Sequence, residues 1–124
     1  MSPVSLALRS LLESAAARAG LTKTPPRMGG ISAPALALHA AALVREHPLF
    51  LVVPTDGAVE SIVSDARFFL AGLEGSSEFE VARQVLPFPS QEVDPYRGLA
   101  PHLEVASARA RALYGLASGT VRLV

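Results

Sequence analysis

The sequence predicts an α/β domain in which a parallel sheet is flanked by helices. Segments with helical periodicity alternate along the chain with short apolar runs. One of these runs, LFLVV at residues 49–53, is continuously apolar and ends in β-branched residues, which is typical of a strand buried on both faces of a parallel sheet. A glycine pair, Gly29 and Gly30, directly precedes a helical segment. Alternating strands and helices favour parallel strands joined by right-handed crossovers.

Composition limits the size and the chemistry of this domain. The 124 residues suffice for one domain, and because 50% are hydrophobic but only 6% aromatic, the core must consist mainly of Ala, Val and Leu. The absence of cysteine excludes disulfides and thiolate metal sites and fits a cytoplasmic protein. Eleven basic residues balance eleven acidic ones, so electrostatics do not favour nucleic-acid binding. The sequence shows neither a transmembrane run nor a signal peptide.

The amino-terminal part of the chain is predicted to be a helix followed by a linker. The helix spans residues 2–20, where Pro3 suits the first turn and Gly20 suits the stop. Pro25 and Pro26 force extended backbone in the segment that follows. The apolar stripe expected on the helix consists of Leu6, Leu8, Leu11, Leu12 and Ala15. We therefore assign residues 1–26 to an N-terminal helix and linker, and residues 27–124 to the α/β domain.

Four strands and three helices are predicted within the α/β domain. Pro48 ends the first of these helices, and Thr55 or Asp56 caps the second. The strands are expected at 28–31, 49–53, 84–88 and 120–124, and the helices at 34–47, 58–73 and 102–118. A polar loop is expected at 74–83 and a long proline-rich loop at 89–101. The second helix is expected to bury Ile62, Val63, Phe69, Leu70 and Leu73. Because no residue follows the last strand, we expect it to present an exposed apolar edge through which chains self-associate.

The glycine pair poses the question of a nucleotide site. A nucleotide loop has the pattern G-x-x-x-x-G-K-[ST]. In the register that starts at Gly30, its last three positions are occupied by Ala35, Leu36 and Ala37. The lysine that contacts phosphate and the hydroxyl that holds magnesium are both missing, and Pro34 removes a backbone N–H from the cradle. We therefore predict a degenerate loop from Gly29 onward that binds no cofactor.

Other chemistry-bearing residues do not form a convincing catalytic or metal site. No two of His39, His47 and His102 have metal-ligand spacing with a carboxylate, so they are interpreted as surface or capping residues. A hydrolytic set could be drawn from Ser90, His102 and Asp94, but no G-x-S-x-G elbow presents the serine. A small nucleotide-binding or hydrolytic α/β enzyme stays as the alternative function.

The last predicted helix carries two arginines, Arg109 and Arg111. Residues two apart lie on different helix faces, so they make a poor phosphate stripe. One of them is expected to pair with Glu104 or Asp94. We expect Tyr96 to pack the proline-rich loop onto the sheet.

Several motifs occur in a characteristic order towards the end of the chain. They are Phe88-Pro89, Asp94-Pro95-Tyr96, Ala100-Pro101-His102, and the pair Arg109 and Arg111, preceded by the helix end with Asp65, Arg67, Phe68 and Phe69. In this order the chain, over roughly residues 28–124, resembles the N-terminal region of bacterial transcription-repair coupling factors (Mfd). Ala100 departs from the serine that this family has before its Pro-His pair.

The resemblance implies a function for the whole family and a limited role for this chain. The complete protein recognises stalled RNA polymerase, translocates on double-stranded DNA with ATP, and recruits the UvrA damage sensor mainly through a later domain. The family carries a degenerate loop where the related helicase UvrB has a functional one, and the proline-rich loop is too short for the damage-probing hairpin of UvrB. The chain is therefore expected to be a non-catalytic fragment, the first part of a UvrB-like module.

Overall fold

The computed structural model describes residues 3–22, 27–91, 96, 98 and 100–124. Of these, 59% are helical and 3% take part in strand bridges, and no sheet forms among them. The predicted α/β fold with a parallel sheet is therefore wrong. The helices of the described residues are α1 (Pro3–Arg18), α2 (Ala33–Leu43), α3 (Asp56–Glu74), α4 (Glu78–Ala82) and α5 (Leu103–Ala117).

Three of the four predicted strands come together, but only as single bridges. Leu123 forms parallel bridges to Leu49 on one side and to Val85 on the other. On the Val85 side, Pro87 has no N–H to donate and therefore limits the pairing. On the other side, hydrogen bonds continue only as far as Leu51 and Val124. The fourth predicted strand, 28–31, is irregular and joins no bridge. Short extended segments therefore replace the expected sheet.

Helix α1 packs against α3, but with a different face from the one expected. Leu12 and Ala16 are buried and Leu8 packs beside them, whereas Leu11 is 66% exposed. A side chain at Gly72 of α3 would come within 2.7 Å of Leu12, so the glycine permits this close crossing. As expected, the chain leaves the helix near Gly20, whose φ is +69°.

Helices α2 and α3 form the centre of the core. The buried side of α2 is rich in alanine, including Ala37 and Ala41, and small side chains let the two helix backbones lie close together. The Thr55 hydroxyl accepts a hydrogen bond from the Ala58 N–H at 3.2 Å, which confirms its predicted role as helix cap. Leu70 is fully buried. Burial of such a side chain stabilises the fold by about 1.5–3 kcal/mol.

The predicted polar loop at 74–83 instead contains helix α4. Ser77 and Glu80 form a capping box: the Ser77 Oγ accepts from the Glu80 N–H at 3.2 Å, and the Glu80 carboxylate accepts from the Ser77 N–H at 2.9 Å. The sequence S-x-x-E ahead of Val81 is the known signal for such a helix start, so this element could have been predicted.

Helix α5 lies at 103–117, close to its predicted position, and covers a second, smaller cluster. Ala112, Leu86 and Val121 form the centre of this cluster. A Cβ atom at Gly115 would overlap the Val121 side chain, so glycine allows the helix to rest directly on the last extended segment. Among the described parts of the chain, no helix is both long and apolar enough to cross a membrane.

Candidate functional site

The turn at 29–37 places two of its predicted site residues, Leu36 and Ala37, against the core. Gly30 has a φ of +68°, a left-handed conformation that favours glycine. Ser32 caps α2, and its Oγ accepts from the Ala35 N–H at 3.4 Å. Leu36 is half-buried and packs against the main core, and Ala37 is fully buried. The positions that hold lysine and hydroxyl in a nucleotide loop thus carry core side chains here.

The histidines lie in three different environments. His39 was interpreted as a surface or capping residue, and this is wrong, because it is buried in α2. Its Nδ1–H donates to the Leu21 carbonyl at 2.5 Å and thereby ties α2 to the end of α1. His47 is exposed, and His102 occupies the cap position of α5 without a side-chain capping bond. Over the described residues, no three His, Cys, Asp or Glu side chains form a group that could hold a metal ion.

The structure brings Phe88-Pro89 and Arg109 together. The Arg109 guanidinium lies 3.9 Å from the centre of the Phe88 ring, a cation–π contact. Its Nη1 also donates to the Pro89 carbonyl at 2.7 Å. One of Arg109 and Arg111 was expected to pair with Glu104 or Asp94; Arg109 instead contacts Phe88 and Pro89, and Asp94 lies outside the described residues. Helix α5 holds the Phe88-Pro89 segment through this arginine.

Ser90, which follows Pro89, is bound by the first residue of α3. Its N–H and its hydroxyl donate to the two carboxylate oxygens of Asp56 at 2.8 and 2.5 Å. Asp56 is the first residue of α3, where a negative charge is favoured by the helix dipole. The hydrolytic set drawn from Ser90, His102 and Asp94 therefore gives way to a contact between Ser90 and Asp56.

The other motif residues near the end of the chain are described only in part. Asp94 and Pro95 lie outside the described residues. Tyr96 is 95% exposed, so the prediction that it packs the loop onto a sheet is wrong. Pro101 is half-buried, and Arg111 is exposed on α5.

Arg67, from the upstream motif, closes one side of the extended segments. Its Nε and Nη2 donate to the Val85 carbonyl at 3.1 and 2.8 Å, and Nη2 also reaches the Ala82 carbonyl at 3.4 Å. Burial lowers the pKa of Arg67 from its ordinary value, and the charge of Arg111 lowers this pKa further. The guanidinium thus satisfies the end of α4 and the outer carbonyl of Val85 together.

Arg122 is a structural centre that the sequence did not reveal. Its guanidinium makes two bonds to Glu74, at 2.7 and 2.9 Å, and two to the Val44 carbonyl, at 2.9 and 3.2 Å. It also donates to the Gln84 side-chain oxygen at 2.9 Å. These partners are distant in sequence, so no local pattern signals the cluster. Arg122 joins the ends of α2 and α3 to two extended segments.

An apolar groove lies at the opposite, carboxyl ends of the three extended segments and encloses about 220 Å³. All its lining residues are apolar, and they include Phe50, Val52, Val63, Leu86, Phe88 and Val124. Phe50 is 64% exposed and Val52 is 93% exposed. The prediction that LFLVV is buried on both faces is therefore wrong for these two residues. The groove adjoins the Phe88 side chain that Arg109 holds.

The exposed edge is not the one predicted. Val121 and Leu123 are only 4% and 3% exposed, and Leu123 is bridged on both sides. The last segment is thus the centre of the arrangement, and the open edge belongs to residues 49–53.

Comparison of the chain with models of protein families, with characterised proteins and with solved structures found no match. The motif residues and their contacts are therefore the basis for a proposed function.

Proposed function

We propose that this chain is a non-catalytic interaction module of a bacterial transcription-repair coupling factor, corresponding to the first part of its UvrB-like module. It acts in the cytoplasm as a scaffold that helps to couple stalled RNA polymerase to nucleotide excision repair through recruitment of UvrA. The proposal is supported by the order of the motif residues and by their contacts. It makes no use of a parallel sheet, which the described chain lacks.

The contact between Phe88 and Arg109 carries the proposal. Both residues belong to the motifs that resemble the family, and their side chains meet at 3.9 Å. Phe88 also lines the apolar groove, so the motif residues help to build a continuous apolar surface. Surfaces of this kind are typical of sites where proteins contact one another.

The partners follow from this role. The chain contacts the rest of the same polypeptide, and UvrA binds mainly through later domains of the complete factor. ATP hydrolysis, DNA translocation and polymerase binding belong to the complete factor as well. A formal net charge of zero gives this chain little attraction for phosphate groups.

Complementation in trans tests the proposal. A coupling factor that lacks the region equivalent to residues 1–124 is mixed with this chain, stalled RNA polymerase and immobilised UvrA. We expect the chain to bind the shortened factor and to restore UvrA recruitment. Arg109→Met is expected to weaken this binding about tenfold, which corresponds to roughly 1.4 kcal/mol, because Phe88 and Pro89 lose their support. Arg111→Met is the matched control, and since Arg111 is exposed it should bind like the parent chain.

Two results would contradict the proposal. One is the absence of binding to the shortened factor by the parent chain. The other is saturable binding of a fluorescent ATP analogue with magnesium that is lost in Gly30→Val, which would favour the nucleotide-binding alternative.

A further inference from the structure

The segment at 49–53 has one edge paired and the other open. The N–H groups of Leu49 and Leu51 donate to the carbonyls of Arg122 and Val124, each at 2.8 Å, and the Val124 N–H donates back to Leu49 at 3.1 Å. In a parallel pair, alternate residues direct both backbone groups to the same neighbour. The N–H and C=O of Phe50 and Val52 therefore point the other way. Among the described residues, none forms a hydrogen bond with them.

The side chains of this open edge lack the usual protection. Soluble proteins protect an edge strand with charged residues, a bulge or a covering element. Residues 48–54 read PLFLVVP and contain no charge, and both Phe50 and Val52 are largely exposed. The two flanking prolines limit the open edge to the five residues between them.

We propose that this edge pairs with the same segment of a second copy of the chain, antiparallel about a two-fold axis between the two Leu51 residues. In that register Phe50 lies opposite Val52 of the second copy, and each such pair exchanges two N–H to C=O bonds. All the open backbone groups of both copies are then used, in four hydrogen bonds. If Phe50 lay opposite Phe50, or Val52 opposite Val52, the other residue would lie opposite Pro48 or Pro54. Because proline has no N–H, one carbonyl in each copy would then lack a donor.

The charge and the pairing side chains also favour a second copy. The formal net charge of zero means that two copies meet without net repulsion. Side chains that pair across the two strands, Phe50 with Val52, are a favourable aromatic and β-branched combination.

Analytical ultracentrifugation of the purified chain tests the proposal, with concentrations from about 1 µM to about 500 µM because dimerisation depends on concentration. We expect a monomer–dimer equilibrium. Val52→Lys should weaken dimerisation at least about tenfold, because it places two ammonium groups at the new interface, while Val52→Thr, which keeps the branched shape, should dimerise like the parent. Leu11→Lys is the matched control, since Leu11 is exposed on α1.

Amide hydrogen exchange identifies the paired residues directly. Exchange at Phe50 and Val52 should slow as the concentration rises. The circular dichroism spectrum of Val52→Lys should match that of the parent chain, which separates loss of pairing from loss of folding. A monomer over the whole range, dimerisation unchanged in Val52→Lys, or a dimer whose Phe50 and Val52 amides stay unprotected would each overturn the proposal. The result does not depend on the function proposed above.

Discussion

The two outer edges of the extended segments differ in how their backbone groups are satisfied. At one edge, the Val85 N–H donates to Val81 at 3.0 Å and the Val85 carbonyl accepts from Arg67. At the other edge, Phe50 and Val52 have no bonds of this kind among the described residues. One edge is thus closed within the chain by a helix and a guanidinium, and the other is left for contact with another molecule.

The difference shows that a single side chain can satisfy the outer backbone carbonyl of an edge. Arg67 occupies the place that a neighbouring strand would take beside Val85. A guanidinium suits this position because it donates several hydrogen bonds from one fixed group. Of the residues that the structure describes, none places a comparable side chain on the edge at 49–53, where the lining residues are apolar.

The largest expected effect comes from replacing Arg122, which lies in the last extended segment between the two edges. Arg122→Met should lower the free energy of unfolding by about 3 kcal/mol, because the Glu74 carboxylate, only 24% exposed, loses its cation and the Val44 carbonyl loses its donors. Urea unfolding followed by circular dichroism at low concentration measures this. Arg9→Met, which removes the exposed pair with Glu13, is the control and should cost less than about 1 kcal/mol. Equal losses in both variants would contradict a central role for Arg122.

Removing the guanidinium that closes the edge at Val85 should lower the free energy of unfolding by less than Arg122→Met does. Arg67→Met keeps the length of the side chain but removes its donors to Val85 and Ala82. We expect a loss of about 2 kcal/mol in the free energy of unfolding, since hydrogen bonds from charged donors contribute about 1.5–3 kcal/mol. Arg18→Met, which removes an exposed guanidinium from α1, serves as the control. If Arg67→Met were as stable as that control, the guanidinium would not be what closes this edge.

The smallest expected effect is a change with pH in the stability of helix α4, whose end lies at the closed edge. Hydrogen bonds from the Ser77 N–H, and then from its hydroxyl, lower the pKa of Glu80 from its ordinary value of 4.5. A folded-state pKa below the unfolded value means that the capping box stabilises α4 above about pH 4.5, and that this contribution is lost as the pH falls through the folded-state pKa.

An NMR titration of the Glu80 carboxyl carbon measures that pKa in the parent chain and in Ser77→Ala. The midpoint should rise towards 4.5 in the variant. Identical midpoints would show that the Ser77 hydroxyl does not bind the Glu80 carboxylate in solution.

The sequence predicted most of the helices, because caps and apolar periodicity are patterns within a few consecutive residues. Thr55 was predicted as one of two possible caps of α3, and α5 was predicted close to its observed bounds. The failure at α4 was a missed signal, since Ser77 and Glu80 stand at capping-box spacing. The face of α1 was mispredicted because Leu11 and Leu12 are equally apolar, and only contact with Gly72 selects Leu12.

The sheet could not be judged from the sequence in the same way. A continuous apolar run predicts burial on both faces, but burial of Phe50 and Val52 depends on a neighbour that the described part of the chain does not supply. The contacts of the candidate site also join residues that are distant in sequence. Phe88 and Arg109 were singled out as motif residues, yet their contact, and the cluster of Arg122 with Glu74 and Val44, join parts of the chain whose approach only the packed helices determine.

The central position of Leu123 also has a consequence for biosynthesis. Both of its bridges reach back to much earlier residues, Leu49 and Val85. A ribosome that adds about 5–20 residues per second needs roughly 4–14 s to proceed from residue 53 to residue 124. During that time the run at 49–53 is already made while neither of its edges has a partner. The nascent chain therefore carries its most apolar segment uncovered until almost the last of these residues is added, which makes that segment the one most in need of a chaperone.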